Sequence, residues 1–316
     1  MTSIIIMIMN MISIFYETFG RQSMKHAYLV IAHKYDETFK TMMSMIDYPD
    51  NDIFLHMDIK CTAFDPDELK ASIKYSNIYF SKRTDVSWGK FTQIGAELIL
   101  LKLATSTGKY KYYHLISGQD LPIKSQEYIH EFFENENREF LEVTNDTEGY
   151  QYRIWYYHFV SKKLSMKENS LRDRTYVARQ EKLGIKRNSK LDIKKGANWF
   201  SITDDFARYT VDHISWIKKH FMLSICADEL FLQTLLWNSP FKDKLAIDES
   251  KKSYSKFMRE IDWIHCNGMN PHVYTMEDLE TLKNSPNLFA RKFDCQTDNE
   301  IIHTLKNMYS YNNRPT

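Results

Sequence analysis

Glycine and proline are scarce in this chain, 9 and 7 of 316 residues, and no internal repeat or low-complexity tract occurs. The four cysteines, Cys61, Cys226, Cys266 and Cys295, are widely scattered. None forms a CxxC pair or a Cys/His ligand spacing, so neither a zinc site nor a disulfide framework is expected, and a reducing compartment fits. No GxGxxG or GxxxxGKS loop is present, so a bound nucleotide would need cations from elsewhere in the chain. Charge of one sign is also missing. The formal net charge is +1, which gives no general reason to expect nucleic acid as a partner. The apolar run at residues 3–16 is too short for an ordinary membrane span. It has no preceding Lys or Arg and no small-residue cleavage site, which argues against a signal peptide. Residues 1–23 are therefore expected to be an extension outside the fold that touches a membrane loosely, a type II anchor through 3–16 being the alternative.

What is present is a regular alternation of strand and helix patterns from residue 24 onward, expected to form one domain over 24–316. A buried strand is predicted at 26–33, and further strands at 52–58, 77–80, 112–116 and 198–202. Helices are predicted at 36–47, 66–73, 128–134, 204–219 and 276–283, and a strongly amphipathic one at 91–107. Asp65 is the expected cap of the 66–73 helix, with Pro66 at its first position. Strands alternating with helices imply an α/β, doubly wound and mostly parallel sheet. Such sheets bind ligands at the carboxyl ends of their strands. That directs attention to Ala32-His33, Asp58, Trp88 and Ser117–Asp120.

Cys226-Ala-Asp-Glu-Leu-Phe carries two adjacent carboxylates into an apolar helix pattern. Leu230, Phe231, Leu235 and Leu236 would form its buried face. Asp228 is read as the helix N-cap and Glu229 as a general base, the plainer alternative being that both acids only cap. Arg291-Lys292, between Phe289 and Phe293, could clamp a diphosphate or simply lie on the surface. Asp58 could accept from a ribose or a base, or serve as a turn residue. Trp88 either walls a pocket or packs in the core. The Asp-x-Asp triplets at 50–52 and 65–67 read as caps, not metal ligands. Residues 162–195 hold twelve Lys/Arg against four Asp/Glu, a solvated face or a surface for an acidic acceptor or anionic headgroups. The Tyr and Trp residues of 150–157 could stack on sugar rings or pack internally.

Seven segments in order carry a family resemblance: Tyr28-Leu-Val-Ile-Ala-His33, His56-Met-Asp58, Val86-Ser-Trp-Gly89, Tyr113-His-Leu-Ile-Ser-Gly-Gln-Asp-Leu-Pro-Ile-Lys124, Gly196-Ala-Asn-Trp-Phe200, Asp228-Glu229 and Phe289-Ala-Arg-Lys-Phe293. Over residues 26 to about 305 the chain resembles the core-2/I-branching glycosyltransferases, including the peptide O-xylosyltransferases, whose branch it favours near 229–240 and 288–305. The resemblance implies a GT-A-type, Rossmann-like fold and inverting transfer from a UDP-sugar, without a metal or other cofactor. It implies a catalytic base at Glu229 and donor contacts at Ile31, Asp58, Val86, Ser87, Trp88, Asn198, Trp199, Asn270, Arg291 and Lys292. Glu142, Arg153 and Trp263 would meet a glycan or glycoconjugate acceptor. Two departures limit what carries over. Asn198 stands where xylosyltransferases have Asp, so the donor, UDP-xylose or UDP-N-acetylglucosamine, stays open. The cysteine framework of the animal enzymes is absent. The expected location is cytoplasmic, peripheral to the inner membrane face, with a role in surface polysaccharide synthesis. An inactive sugar- or nucleotide-binding protein on the same fold is the alternative, and a metal-dependent enzyme using Asp50 or Asp52 is a second rival.

Overall fold

Residues 24–144, 149–159, 166–247, 257–266, 268 and 270–311 are described in a computed structural model, the side chains of 166–169 excepted. Both the extension at 1–23 and part of the 162–195 segment lie outside the described residues. Strand β1 (His26–Ala32) is buried along almost its whole length, as a central strand covered on both faces must be. Tyr28, Val30 and Ala32 enter one core, while Ala27 and Leu29 enter the other, the two-residue period of a strand. Strand β1 lies between two parallel neighbours, β2 (Asn51–Met57) and β4 (Tyr112–Ser117), and β3 (Asn77–Phe80) extends the parallel set beyond β2.

The crossovers follow local sequence signals. In α1 (Glu37–Ile46), Asp36 accepts from Phe39 N at the first turn. In α2 (Pro66–Ser72), Asp65 accepts from Asp67 N and Glu68 N with Pro66 at the start, as predicted. Helix α3 (Phe91–Thr107) has the predicted limits but not the predicted amphipathicity. Ile94, Ala96, Glu97, Leu98, Leu100 and Leu101 are all buried around its circumference. It is covered by the sheet on one side and by α7 (Asp204–Asp212) on another.

The main sheet has the order β3-β2-β1-β4-β7-β6, with β6 (Phe140–Leu141) and β7 (Phe200–Thr203) at one edge. Strand β7 runs antiparallel to β4, so the sheet is mixed but mostly parallel. The chain winds outward from β1 to β3, then returns to β4 on the other side of β1. That reversal is a topological switch point, where such sheets open a crevice.

After β4 the chain turns at Gly118-Gln119 into β5 (Asp120–Pro122), which the pattern at 117–120 had suggested only as a turn. Strand β5 pairs with β9 (Phe289–Arg291), and β9 with β8 (Arg259–Ile261), in a second three-stranded sheet. Arg259 is 3% exposed and joins the two sheets. It donates to Leu115 O at 3.2 Å and Phe200 O at 2.8 Å, with its guanidinium 4.3 Å over the Phe289 ring. The remaining helices are α4 (Gln126–Glu134), α5 (Tyr152–Trp155), α6 (Met166–Lys182), α8 (Ile214–Phe221), α9 (Phe231–Trp237), α10 (Leu279–Asn284) and α11 (Asn299–Tyr309). The predicted 204–219 helix is broken at His213, which caps α7 and begins α8.

Candidate active site

At the ends of β1 and β2 the backbone is wired into a fixed floor. Asp58, 4% exposed, follows β2, and its NH donates to Ala32 O at 2.8 Å. Its carboxylate accepts from Lys60 N at 2.9 Å, Lys60 Nζ at 2.7 Å and Val86 N at 3.3 Å. Lys60 Nζ also reaches Asp85 at 2.7 Å and Val86 O at 2.6 Å. The side chain of Asp58 therefore holds the Val86–Trp88 loop in place. Ile31 O accepts from Gly118 N at 3.1 Å, which ties the end of β1 to the turn after β4. Trp88 is 65% exposed, so it is not a core residue and is open to a ligand.

Beside this floor sits the acidic turn. Asp228 does not cap a helix. Ala227–Glu229 forms a 3-10 turn and α9 begins only at Phe231, after Leu230, with no side-chain cap. The local reason is the docking of Cys226: in the left-handed region at φ 44°, it donates its NH to Gly89 O at 2.9 Å. The chain must turn there before it can enter the helix. Gly89 itself has φ +69°, with the Cys226 Sγ only 3.2 Å from where a Cβ would stand. Gln93 locks the same junction, accepting from Gly89 N at 2.5 Å and donating to Asp228 Oδ2 at 3.3 Å. The predicted buried face of the helix, Leu230, Phe231, Leu235 and Leu236, is at most 2% exposed.

Glu229 is half-buried. Its Oε2 takes Arg153 Nη1 at 2.9 Å and Lys195 Nζ at 3.7 Å. Both cations stack on Tyr150, at 4.8 and 4.7 Å from the ring centre. Behind them runs Gly196, whose NH donates to Glu229 O at 3.0 Å. A Cβ at Gly196 would lie 1.8 Å from Glu142 O, so only glycine passes between these two segments. The Glu142 carboxylate accepts from Ala197 N at 2.7 Å, which gives it a structural tie on this side of the site.

Two further groups were not singled out by the sequence. Glu97 on α3 is fully buried, and neither carboxylate oxygen has a hydrogen-bond partner, nor has Asn198 Oδ1. Burial, and then the charge of Asp228, raises the Glu97 carboxyl well above its usual range, with the Asn198 amide pulling the other way. Asp228 is itself pushed up to about 6, by burial first and by Glu229 second. Gln93 and Glu97 stand four residues apart on an otherwise apolar helix. That i, i+4 pair was the available signal.

The third component is cationic. Arg291, at the end of β9, donates to Ser117 Oγ at 2.5 Å and Asp120 Oδ1 at 2.6 Å, and its guanidinium lies 4.7 Å over the Trp199 ring. Phe289 and Phe293 on either side are fully buried, as predicted for anchors. Lys292 follows, its ammonium pKa lowered by burial and then by Arg291 and Lys34. His33, exposed at the end of β1, is lowered by desolvation and then by Lys34, Lys292 and Arg291. A positive potential thus gathers at the β1/β4 switch point. Trp263, 57% exposed, and Asn270, also exposed, lie on the loop after β8 and make no hydrogen bond to Glu229. Their neighbours Asn267 and Met269 are outside the described residues. Among the described residues, no group of three His, Cys, Asp or Glu side chains is arranged to hold a metal ion.

The chain is similar in sequence to known glycosyltransferases. Human N-acetyllactosaminide beta-1,6-N-acetylglucosaminyl-transferase is 27% identical over 297 residues, covering 86% of this chain and 68% of that protein. Human Xylosyltransferase 1 is 22% identical over 313 residues, covering 92% of this chain but only 31% of its own length. Among solved structures, the WbbM bifunctional glycosyltransferase covers 69% of this chain and 37% of its own at 10% identity, with a TM-score of 0.36, a superposition too loose to bear on the fold. The family model for the core-2/I-branching enzymes matches residues 26–283, and the chain belongs to that family of glycosyltransferases.

Proposed function

We propose that the protein is an inverting, metal-independent transferase that moves xylose or N-acetylglucosamine from a UDP-sugar to a hydroxyl of a glycan or glycoconjugate. The observation that carries this reading is the placement of Glu229. It is half-open and anchored through Cys226 and Gly89 to the Val86–Gly89 loop. Arg153 and Lys195 both engage Oε2, which leaves Oε1 to meet an incoming hydroxyl. In the reaction, the acceptor oxygen attacks the anomeric carbon from the face opposite UDP, its proton passes to Glu229, and the bond from that carbon to the UDP oxygen breaks. The transition state is oxocarbenium-like, as in glycoside hydrolysis. Negative charge grows on the leaving diphosphate, where Arg291 and Lys292 would neutralise it.

In this reading Ile31, Asp58 and the Val86–Trp88 loop hold the uridine, and Asn198, Trp199 and Asn270 face the donor sugar. Glu142, Arg153 and Trp263 meet the acceptor. The metal-dependent rival has little support. Asp52 lies at the start of β2, at the opposite end from Asp58, and its carboxylate takes Lys25, Asn77 and Tyr110.

The test is a panel of UDP-sugars with purified protein in EDTA, read as UDP release. Release from one donor is expected, and Glu229→Gln should cut it by about 10²–10⁴-fold while UDP still binds. Near-normal turnover in that variant would remove Glu229 as the base. UDP binding with no release from any donor, even with acceptors added, would favour an inactive binding protein.

A further inference from the structure

We propose that the surface formed by the end of α6, the 183–190 loop and the end of α8 docks onto an anionic lipid bilayer. Leu183, Ile185 and Met222 are 73%, 40% and 50% exposed, and Leu223 beside them is 37% exposed. Single exposed apolar side chains are ordinary on a protein surface, but these four belong to one braced unit. Arg187 reaches from the loop to α8 and donates to Lys219 O and His220 O at 2.9 Å each, and to Leu223 O at 3.4 Å. Asn188 Nδ2 adds His220 O at 2.9 Å. The two turns that carry the apolar tips are therefore fixed to each other.

Around the tips stand Lys182, Lys186, Lys190, Lys218 and Lys219, all exposed. Across residues 179–190 and 214–224 the only acid is Glu181. The whole chain has a net charge of +1, so the cations on this face are balanced elsewhere and the molecule is polar in charge. Long aliphatic tips ringed by basic residues are the composition of an interfacial membrane contact, apolar groups entering the acyl boundary while ammonium groups meet headgroups. The five lysines are point charges without a fixed planar fork, with Arg179 also exposed at the end of α6 and the Lys186 ammonium 3.4 Å over the Trp155 ring. They suit mobile phosphates better than one fixed carboxylate on a protein partner. The loop also joins the segment that carries the site. Arg187 N donates to Trp155 O at 2.8 Å, two residues beyond Arg153. The inference does not depend on the transferase mechanism.

The test is cosedimentation of the full chain with vesicles of phosphatidylcholine, with and without phosphatidylglycerol. Binding to the phosphatidylglycerol vesicles is expected, weakening as salt is raised. A variant with Lys182→Glu, Lys186→Glu, Lys218→Glu and Lys219→Glu should bind at least about tenfold more weakly with an unchanged melting temperature. Leu183→Ser with Met222→Ser should also weaken binding, and it gives an independent reading if the charge variant misfolds. Three results would overturn the proposal: no binding by the wild type, equal binding to phosphatidylcholine alone, or variants that bind like the wild type. The last would place the contact elsewhere in the chain.

Discussion

Arg291 and Lys292 are adjacent cations with different duties, and the difference is testable residue by residue. Asp120 is 2% exposed, and Arg291 forms its only ion pair among the described residues, although Arg259 and Lys292 also feel its charge. Removing one member of such a pair leaves a buried charge uncompensated. Arg291→Ala should thus cost about 2–4 kcal/mol of stability as well as UDP affinity. Lys292 forms no ion pair among the described residues, and burial and neighbouring cations already disfavour its charge. Lys292→Ala should leave the melting temperature nearly unchanged and weaken UDP binding by about tenfold, the effect of one charge-assisted contact. Calorimetric titration with UDP and a melting scan on the two variants separate these outcomes. The pair could be read from sequence because paired cations between aromatic anchors are conspicuous. Glu97 could not, because its meaning depends on burial against Asp228, two segments that are 131 positions apart in the chain. The Asp228 cap failed for a related reason. Its local pattern is that of an N-cap, but Cys226 is held by Gly89, and that distant tie sets the backbone before the helix begins.

Elements with strong local signals were legible almost to the residue. Strand β3, helix α3 and the capped start of α2 match their predicted limits because apolar runs, Pro66 and Asp65 all act within a few residues. The second sheet was not legible. Its strands are three residues each, too short to show a period, and they pair across long separations. A shared apolar core joins this sheet to the first, and Arg259, whose guanidinium pKa is lowered to about 10 by burial, is a buried polar link between them. Arg259→Met would keep much of the packing on Phe289 but leave Leu115 O, Phe200 O and Phe257 O without this donor. We expect a loss of about 2–4 kcal/mol in urea unfolding. A loss well below 1 kcal/mol would mean that the two sheets are held together by apolar contact alone.

Across the whole molecule, buried titratable groups pull stability in opposite directions with pH. His26 and His130 stack at 3.9 Å, and His114 Nε2 lies 3.0 Å from His26 Nδ1. Burial is the first cause that lowers all three, His130 to about 4. In the unfolded chain they gain protons near pH 6.5, so their contribution is complete above about pH 6.5 and is lost on acidification. Glu139 has the opposite sign. Burial raises it to about 7, so its contribution is complete below about pH 4.5 and is lost as pH rises toward 7. Glu139→Gln removes one opposing contribution. Its melting temperature should therefore fall more steeply than the wild type's between pH 6.5 and 4.5, as a thermal scan across buffers would show. An unchanged slope would mean that Glu139 is ionised in the fold. The balance is invisible in a sequence whose net charge is +1, because it depends on which groups are buried.

The pairing of β5 with β9 also has a consequence for how the molecule is made. Arg291 meets Ser117 across 174 positions, so the first half of the chain, with β1 to β4 and the Asp58 loop, leaves the ribosome long before Arg291 and Lys292 exist. A nucleotide cannot use those cations to steady the early sheet. The nascent parallel strands gain β9 only near the end of translation, and a ligand held by those cations can protect only finished molecules.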